Sequence, residues 1–200
     1  MKKLNKKGFT LIELLAVIVI MAILVAVAIP AVTRYLDTAR KGTYYDNIAA
    51  AVSAVRNDVI SNNFTGARGG VYYLGSSTAA NPSTPACFSL NTDRNGNQIL
   101  KAETTYKTKE ACDNASTTDA PKYWSTGWIN DLLEKKLVNS SYGAAYSPNS
   151  YIKVTYASGV YTYHVCVFDI EGNGFCGKEA DLKNDEIKSG ITYKAPDELN

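Results

Sequence analysis

From Leu14 to Val32 the chain carries no charged residue, and that run restricts the fold more than any other feature. As a helix, its 19 residues span roughly 29 Å, close to the thickness of a bilayer core. Lys2, Lys3, Lys6 and Lys7 all precede the run. The positive-inside rule keeps that cluster cytoplasmic and sends everything after the run outward. Three readings fit such a segment. One is an ordinary signal peptide cut after Ala26-Val27-Ala28, with the mature chain starting at Ile29. Another is a passive single-pass anchor. The third makes use of Glu13, a carboxylate at the head of the apolar run. A charge in lipid is costly, so an acid in such a position calls for a function. Neither a signal peptide nor a passive anchor gains from it.

Length and charge narrow the classes further. Two hundred residues suit one domain plus an appendage. The net charge of +2 owes everything to the four early lysines; without them 17 basic side chains face 19 acidic ones. Composition therefore gives no case for nucleic-acid binding.

Around the acid, the chain reads Lys6-Lys7-Gly8-Phe9-Thr10-Leu11-Ile12-Glu13, with Pro30 farther along the same helix. On these residues it resembles the type IV pilin family. The likeness is detailed from Lys6 to about Tyr35 and weak afterwards. It implies that a prepilin peptidase cuts between Gly8 and Phe9 and methylates the new amine on Phe9. It also implies that Glu13 of an incoming subunit pairs with the N-terminal amine of a neighbour in a filament. Two charges that are each costly in an apolar medium gain by pairing there, which makes the pair a device for register. The implied partners are copies of the same chain, the peptidase, the membrane and the pilus assembly machinery. The implied location is the cytoplasmic membrane, with the head outside, before assembly, and an extracellular filament after it. A pseudopilin of a type II secretion or competence DNA-uptake system shares the whole N-terminus and stays as an alternative.

The expected fold is α+β: a long N-terminal helix packed against an antiparallel β-sheet head, with disulfide-tied loops. The expected parts are a cleaved basic leader (1–8), a hydrophobic transmembrane and assembly half-helix (9–32), an amphipathic half (33–62) and a globular head (63–200). Leu36, Ile48, Val52, Val55 and Val59 recur at helical spacing, and Asn62-Asn63 is the expected stop. Pro30 should kink or loosen the helix. Residues 64–122 read as loop-rich, with a short strand at Val71-Tyr72-Tyr73-Leu74 and a helical turn at Lys109–Asp113. Trp128–Leu137 reads as a helix. A turn at Ser158-Gly159 pairs Tyr156 with Tyr161, Val154 with Tyr163 and Ile152 with Val165, all on one face. That face should cover the helix stripe. Lys153, Thr155, Thr162, His164 and Cys166 fall on the other, polar face.

Cys87, Cys112, Cys166 and Cys176 contain no C-x-x-C pair, which argues against zinc, and in an exported chain they make disulfides. Four cysteines allow three pairings. A reversal at Asp169–Gly174 favours Cys166–Cys176, leaving Cys87–Cys112. Pilins similar to this chain commonly tie down a C-terminal loop by a disulfide. Asp169, Glu171 and Asn173 offer oxygens at alternate positions, as calcium loops do, but Ala180 occupies the twelfth position. A Gly/Asn-rich turn is the preferred reading, as it is for Asp93–Asn97. His164, the single histidine, reads as a surface or hydrogen-bonded strand residue. No hydrolase, P-loop, metalloprotease or dinucleotide fingerprint is present, so no enzymatic activity and no cofactor are expected.

Overall fold

The computed structural model describes residues 9–63, 70–75, 86–92, 98–103, 105–117 and 122–196. The chain divides into two compact units, residues 1–40 and 41–200. One helix, α1 (Leu11–Asn63), supplies residues to both.

In the first unit every described residue, Phe9 to Arg40, is exposed. By length and composition α1 is apolar enough to cross a membrane. Pro30 sits inside the helix without ending it. The carbonyl of Pro30 accepts from Thr33 Oγ1 at 3.1 Å, and that of Arg34 from Thr38 Oγ1 at 3.0 Å.

The second unit is α+β. After α1 come β1 (Gly70–Tyr73), β2 (Ala86–Thr92), β3 (Gln98–Ala102), α2 (Lys109–Asn114), β4 (Lys122–Ser125), β5 (Gly127–Trp128) and α3 (Ile129–Leu132). Then follow β6 (Tyr151–Ala157), β7 (Val160–Phe168) and β8 (Gly174–Lys178). The larger sheet has the order β5-β1-β6-β7-β8, antiparallel except for the β1–β5 pair. A smaller antiparallel sheet has the order β3-β2-β4.

Ile48, Val52, Val55 and Val59 of α1 are buried against Ile152, Val154, Tyr163 and Val165 of the larger sheet. The β6–β7 register pairs Ile152 with Val165, Val154 with Tyr163 and Tyr156 with Tyr161. The three- and four-residue rhythm of the helix thus meets the two-residue rhythm of the hairpin over one core. Polar contacts edge that core. Tyr44 donates its hydroxyl to the Asn173 carbonyl at 2.8 Å, Tyr72 donates to Asp58 at 2.8 Å, and Arg56 bonds Glu179. Leu36 does not join this core; it lies in the first unit and is exposed.

Three expectations need correcting. The loop-rich reading of 64–122 missed the smaller sheet, whose strands β2 and β3 lie within that stretch. The Gly75–Pro85 stretch beyond Gly75, and Asp93–Asn97, lie outside the described residues. The helix expected over Trp128–Leu137 is a single turn, Ile129–Leu132. Asn130 stops it: its side chain bonds both the amide and the carbonyl of Leu137, at 2.7 and 3.2 Å, and so competes with helical pairing. The other face of β6–β7 is not polar throughout. Tyr151, Cys166 and Phe168 pack there with Tyr73, Phe88 and Trp128 in a second core, flanked by Tyr123, Ile191 and Tyr193. The C-terminal segment is tied across that face. Tyr151 Oη donates to the Lys194 carbonyl and Lys153 Nζ to the Pro196 carbonyl, each at 2.8 Å.

Candidate functional site

The N-terminal segment is built from a helix start. Thr10 precedes α1 in the N-cap position, and Glu13 is the third residue of the helix. The Glu13 carboxylate accepts from the Thr10 amide at 2.8 Å and the Thr10 hydroxyl at 2.7 Å. Glu13 N donates back to Thr10 Oγ1 at 3.3 Å. This reciprocal arrangement is a capping box, which satisfies amides that a helix start leaves orphaned. Within one chain, then, Glu13 has a local partner. The sequence carries the signal for this cap, since Thr10-Leu11-Ile12-Glu13 spells the T-x-x-E pattern. Phe9 is the first described residue and is 88% exposed; Gly8 lies outside the described residues. From Phe9 through Leu36 the large apolar side chains are all roughly half exposed or more. Glu13 and the apolar run are therefore presented together on one uncovered helix.

The second locus is the loop between β7 and β8. The register sets Cys166 opposite Cys176, and the two are joined, as are Cys87 and Cys112. Asp169 is 1% exposed. Its Oδ1 accepts from the amides of Glu171 and Asn173 at 3.1 and 2.8 Å, and its Oδ2 from Ser140 Oγ at 2.8 Å and Asn173 Nδ2 at 3.1 Å. The Asp169 carboxyl is thus used up in organising the turn, and the Glu171 side chain is exposed. Asp169, Glu171 and Asn173 do not converge as a set of free oxygens. Among the described residues no cluster of three His, Cys, Asp or Glu side chains is placed to hold a metal.

His164 departs from its expected setting. It is 6% exposed, and neither ring nitrogen has a hydrogen-bond partner. It stands in register between Lys153 and Lys178. Burial, and after it those two ammonium groups, hold its pKa below the ordinary histidine value.

One comparison with known proteins bears on the N-terminal segment. The prokaryotic N-terminal methylation motif matches residues 3–29. That motif marks prepilins of the type IV pilin and pseudopilin kind. Type IV pilin-like proteins are a structural rather than an enzymatic class. No curated protein and no solved structure matches the chain. The apolar helix and the motif together fit membrane anchoring before assembly.

Proposed function

We propose that the chain is a structural subunit of a type IV pilus. It is inserted in the membrane, cut between Gly8 and Phe9, methylated on Phe9 and polymerised through its N-terminal helix into a surface filament. Glu13 pairs with the Phe9 amine of a neighbouring subunit, and Pro30 lies in the half of the helix that packs in the filament. The observation that carries this reading is the methylation motif over residues 3–29, which overlaps a helix that keeps an acid beside an exposed apolar run. The capping box supports a two-partner account of Glu13. Before assembly, Thr10 holds the carboxylate; during assembly, a cationic amine offers a donor that is itself charged.

Mass spectrometry of the mature chain tests the processing step. A terminus at N-methyl-Phe9 is expected, and Gly8→Leu should leave uncut precursor in the membrane. A mature chain beginning at Ile29 would overturn the proposal. Electron microscopy then tests the filament. Long surface fibres containing this chain are expected, whereas their absence from cells that process it would assign the chain to a pseudopilin assembly.

A further inference from the structure

Residues 191–195 belong to no helix or strand, yet they lie against the second core, on which Ile191 and Tyr193 pack. Single hydrogen bonds fasten this C-terminal segment. Ile191 N donates to the Gly172 carbonyl, Tyr151 Oη to the Lys194 carbonyl and Lys153 Nζ to the Pro196 carbonyl, each at 2.8 Å. The last fastener has a particular neighbour. Lys153 on β6 is paired in register with His164 on β7, and His164 in turn with Lys178 on β8. Side chains paired in this way have Cβ atoms about 4.5–5.5 Å apart, and like charges directly opposite one another are destabilising. Both ring nitrogens of His164 are buried and, among the described residues, without a hydrogen-bond partner.

As a neutral ring, His164 adds no charge to this row. As an imidazolium it would carry two N–H donors with no acceptor among the described residues, and its charge would face two ammonium groups. The other titratable groups nearby give no relief. Glu179, next to Lys178, bonds Arg56. The C-terminal segment brings a further cation, Lys194, and the phenols of this face are those of Tyr151 and Tyr193. Asp197 and Glu198 follow Pro196 and lie outside the described residues. Taking up a proton therefore requires an opening to water, and proteins open first where they are least tied down. Strands β6, β7 and β8 are held by backbone pairing and by the Cys166–Cys176 bridge. The segment after Gly190 has no such pairing, and one of its fasteners is the ammonium that an imidazolium repels. We propose that His164 works a latch: when it takes up a proton, Lys153 leaves the Pro196 carbonyl and the C-terminal segment lets go of the second core. Release uncovers Tyr151 and Tyr123, whose rings Tyr193 touches in the closed state, while the sheet stays folded. The latch stands on the second unit alone, so its failure would leave the reading of the N-terminal segment untouched, and the reverse also holds.

The test is amide hydrogen exchange by NMR on the isotope-labelled full chain in detergent micelles, at about pH 7 and about pH 5. Each rate is divided by that of an unstructured peptide at the same pH, which leaves only the protection due to structure. An exposed histidine with the ordinary pKa of about 6.5 favours an opening by up to roughly 25-fold over this interval. Protection of the Ile191 amide, which is bonded in the closed state, should accordingly fall about tenfold on acidification. The Ile152 and Val165 amides, within the paired β6 and β7, should keep theirs. His164→Gln cannot titrate and should hold the Ile191 amide equally at both pH values. Lys153→Met keeps the stem but loses the ammonium, so its Ile191 amide should already be poorly protected at the higher pH. Asp197→Asn with Glu198→Gln should respond to pH as the parent chain does. Any of four results would overturn the latch: Ile191 protection that does not fall, a fall shared by Ile152 and Val165, an equal fall in His164→Gln, or a response abolished by the Asp197 and Glu198 substitutions. Parental protection in Lys153→Met would do so as well, because the ammonium would then fasten nothing.

Discussion

Glu13 has one carboxylate and two claims on it, and the claims separate by substitution. Gln at this position keeps a side-chain acceptor for the Thr10 amide but removes the charge. Val removes both. Thr10→Ala removes the reciprocal cap, worth about 1 kcal/mol, and keeps the charge. If pairing with an amine drives assembly, Glu13→Gln and Glu13→Val should both reach normal membrane levels, be cut at Gly8 and yield few or no filaments. Thr10→Ala should still assemble. Gel shift reads the cutting and sheared-surface fractions read the filaments. Wild-type filament yield from Glu13→Val would end the pairing account, and loss confined to Thr10→Ala and Glu13→Val would assign Glu13 to helix capping alone. His164 makes a different kind of claim, on pH. Its folded-state pKa is lowered, by burial first and then by Lys153 and Lys178. The unfolded chain therefore takes up a proton that the folded chain resists, beginning near the ordinary histidine value of about 6.5. The stability linked to this group is complete above that pH and is lost as pH falls from there through the folded-state pKa. Denaturant midpoints should drop on acidification from about pH 7 to about pH 5, and drop less in His164→Phe. Identical slopes for the two chains would show that His164 takes no part.

The β6–β7 hairpin was legible because its turn and its pattern agree. Ser158 and Gly159 have φ values of 52° and 83°, the left-handed geometry that a two-residue hairpin turn requires. Glycine reaches it freely, whereas serine is strained there and asparagine less so. Ser158→Asn should therefore stabilise the unit by on the order of 0.5 kcal/mol, read as a raised thermal midpoint; a lowered midpoint would contradict the turn assignment. The helix stripe was legible for the same reason, since Ile48 to Val59 repeat on one face. Ile48→Ala should cost roughly 2–5 kcal/mol in chemical denaturation, whereas a loss below about 1 kcal/mol would place Ile48 outside the core. What covers the second face of the hairpin was not legible. Alternation predicts which side chains share a face, but not that Phe88, Tyr123, Ile191 and Tyr193 arrive from distant strands and the C-terminal segment to bury it. Cys166 and His164 were read as polar-face residues on that account. Thr10 had a signal in the T-x-x-E spacing of Thr10 and Glu13.

The boundary between the two units falls after Arg40, inside a continuous helix. The buried stripe of α1 lies wholly beyond it, with Tyr44 the first fully buried side chain. A chain starting at Lys41 should accordingly fold alone, with a cooperative thermal transition and both disulfides in peptide maps. Non-cooperative melting would mean that the second unit depends on residues before Lys41. The same arrangement sets an order in time. Tyr44, at the front of the head, bonds the carbonyl of Asn173, 129 residues later. Synthesis at about 5–20 residues per second separates the two by roughly 6–26 s. For that interval the apolar stripe from Ile48 to Val59 lacks the β6 and β7 side chains that complete its burial. A nascent chain arrested before Tyr151 should remain sensitive to protease along this stripe, and one released after Lys178 should be protected.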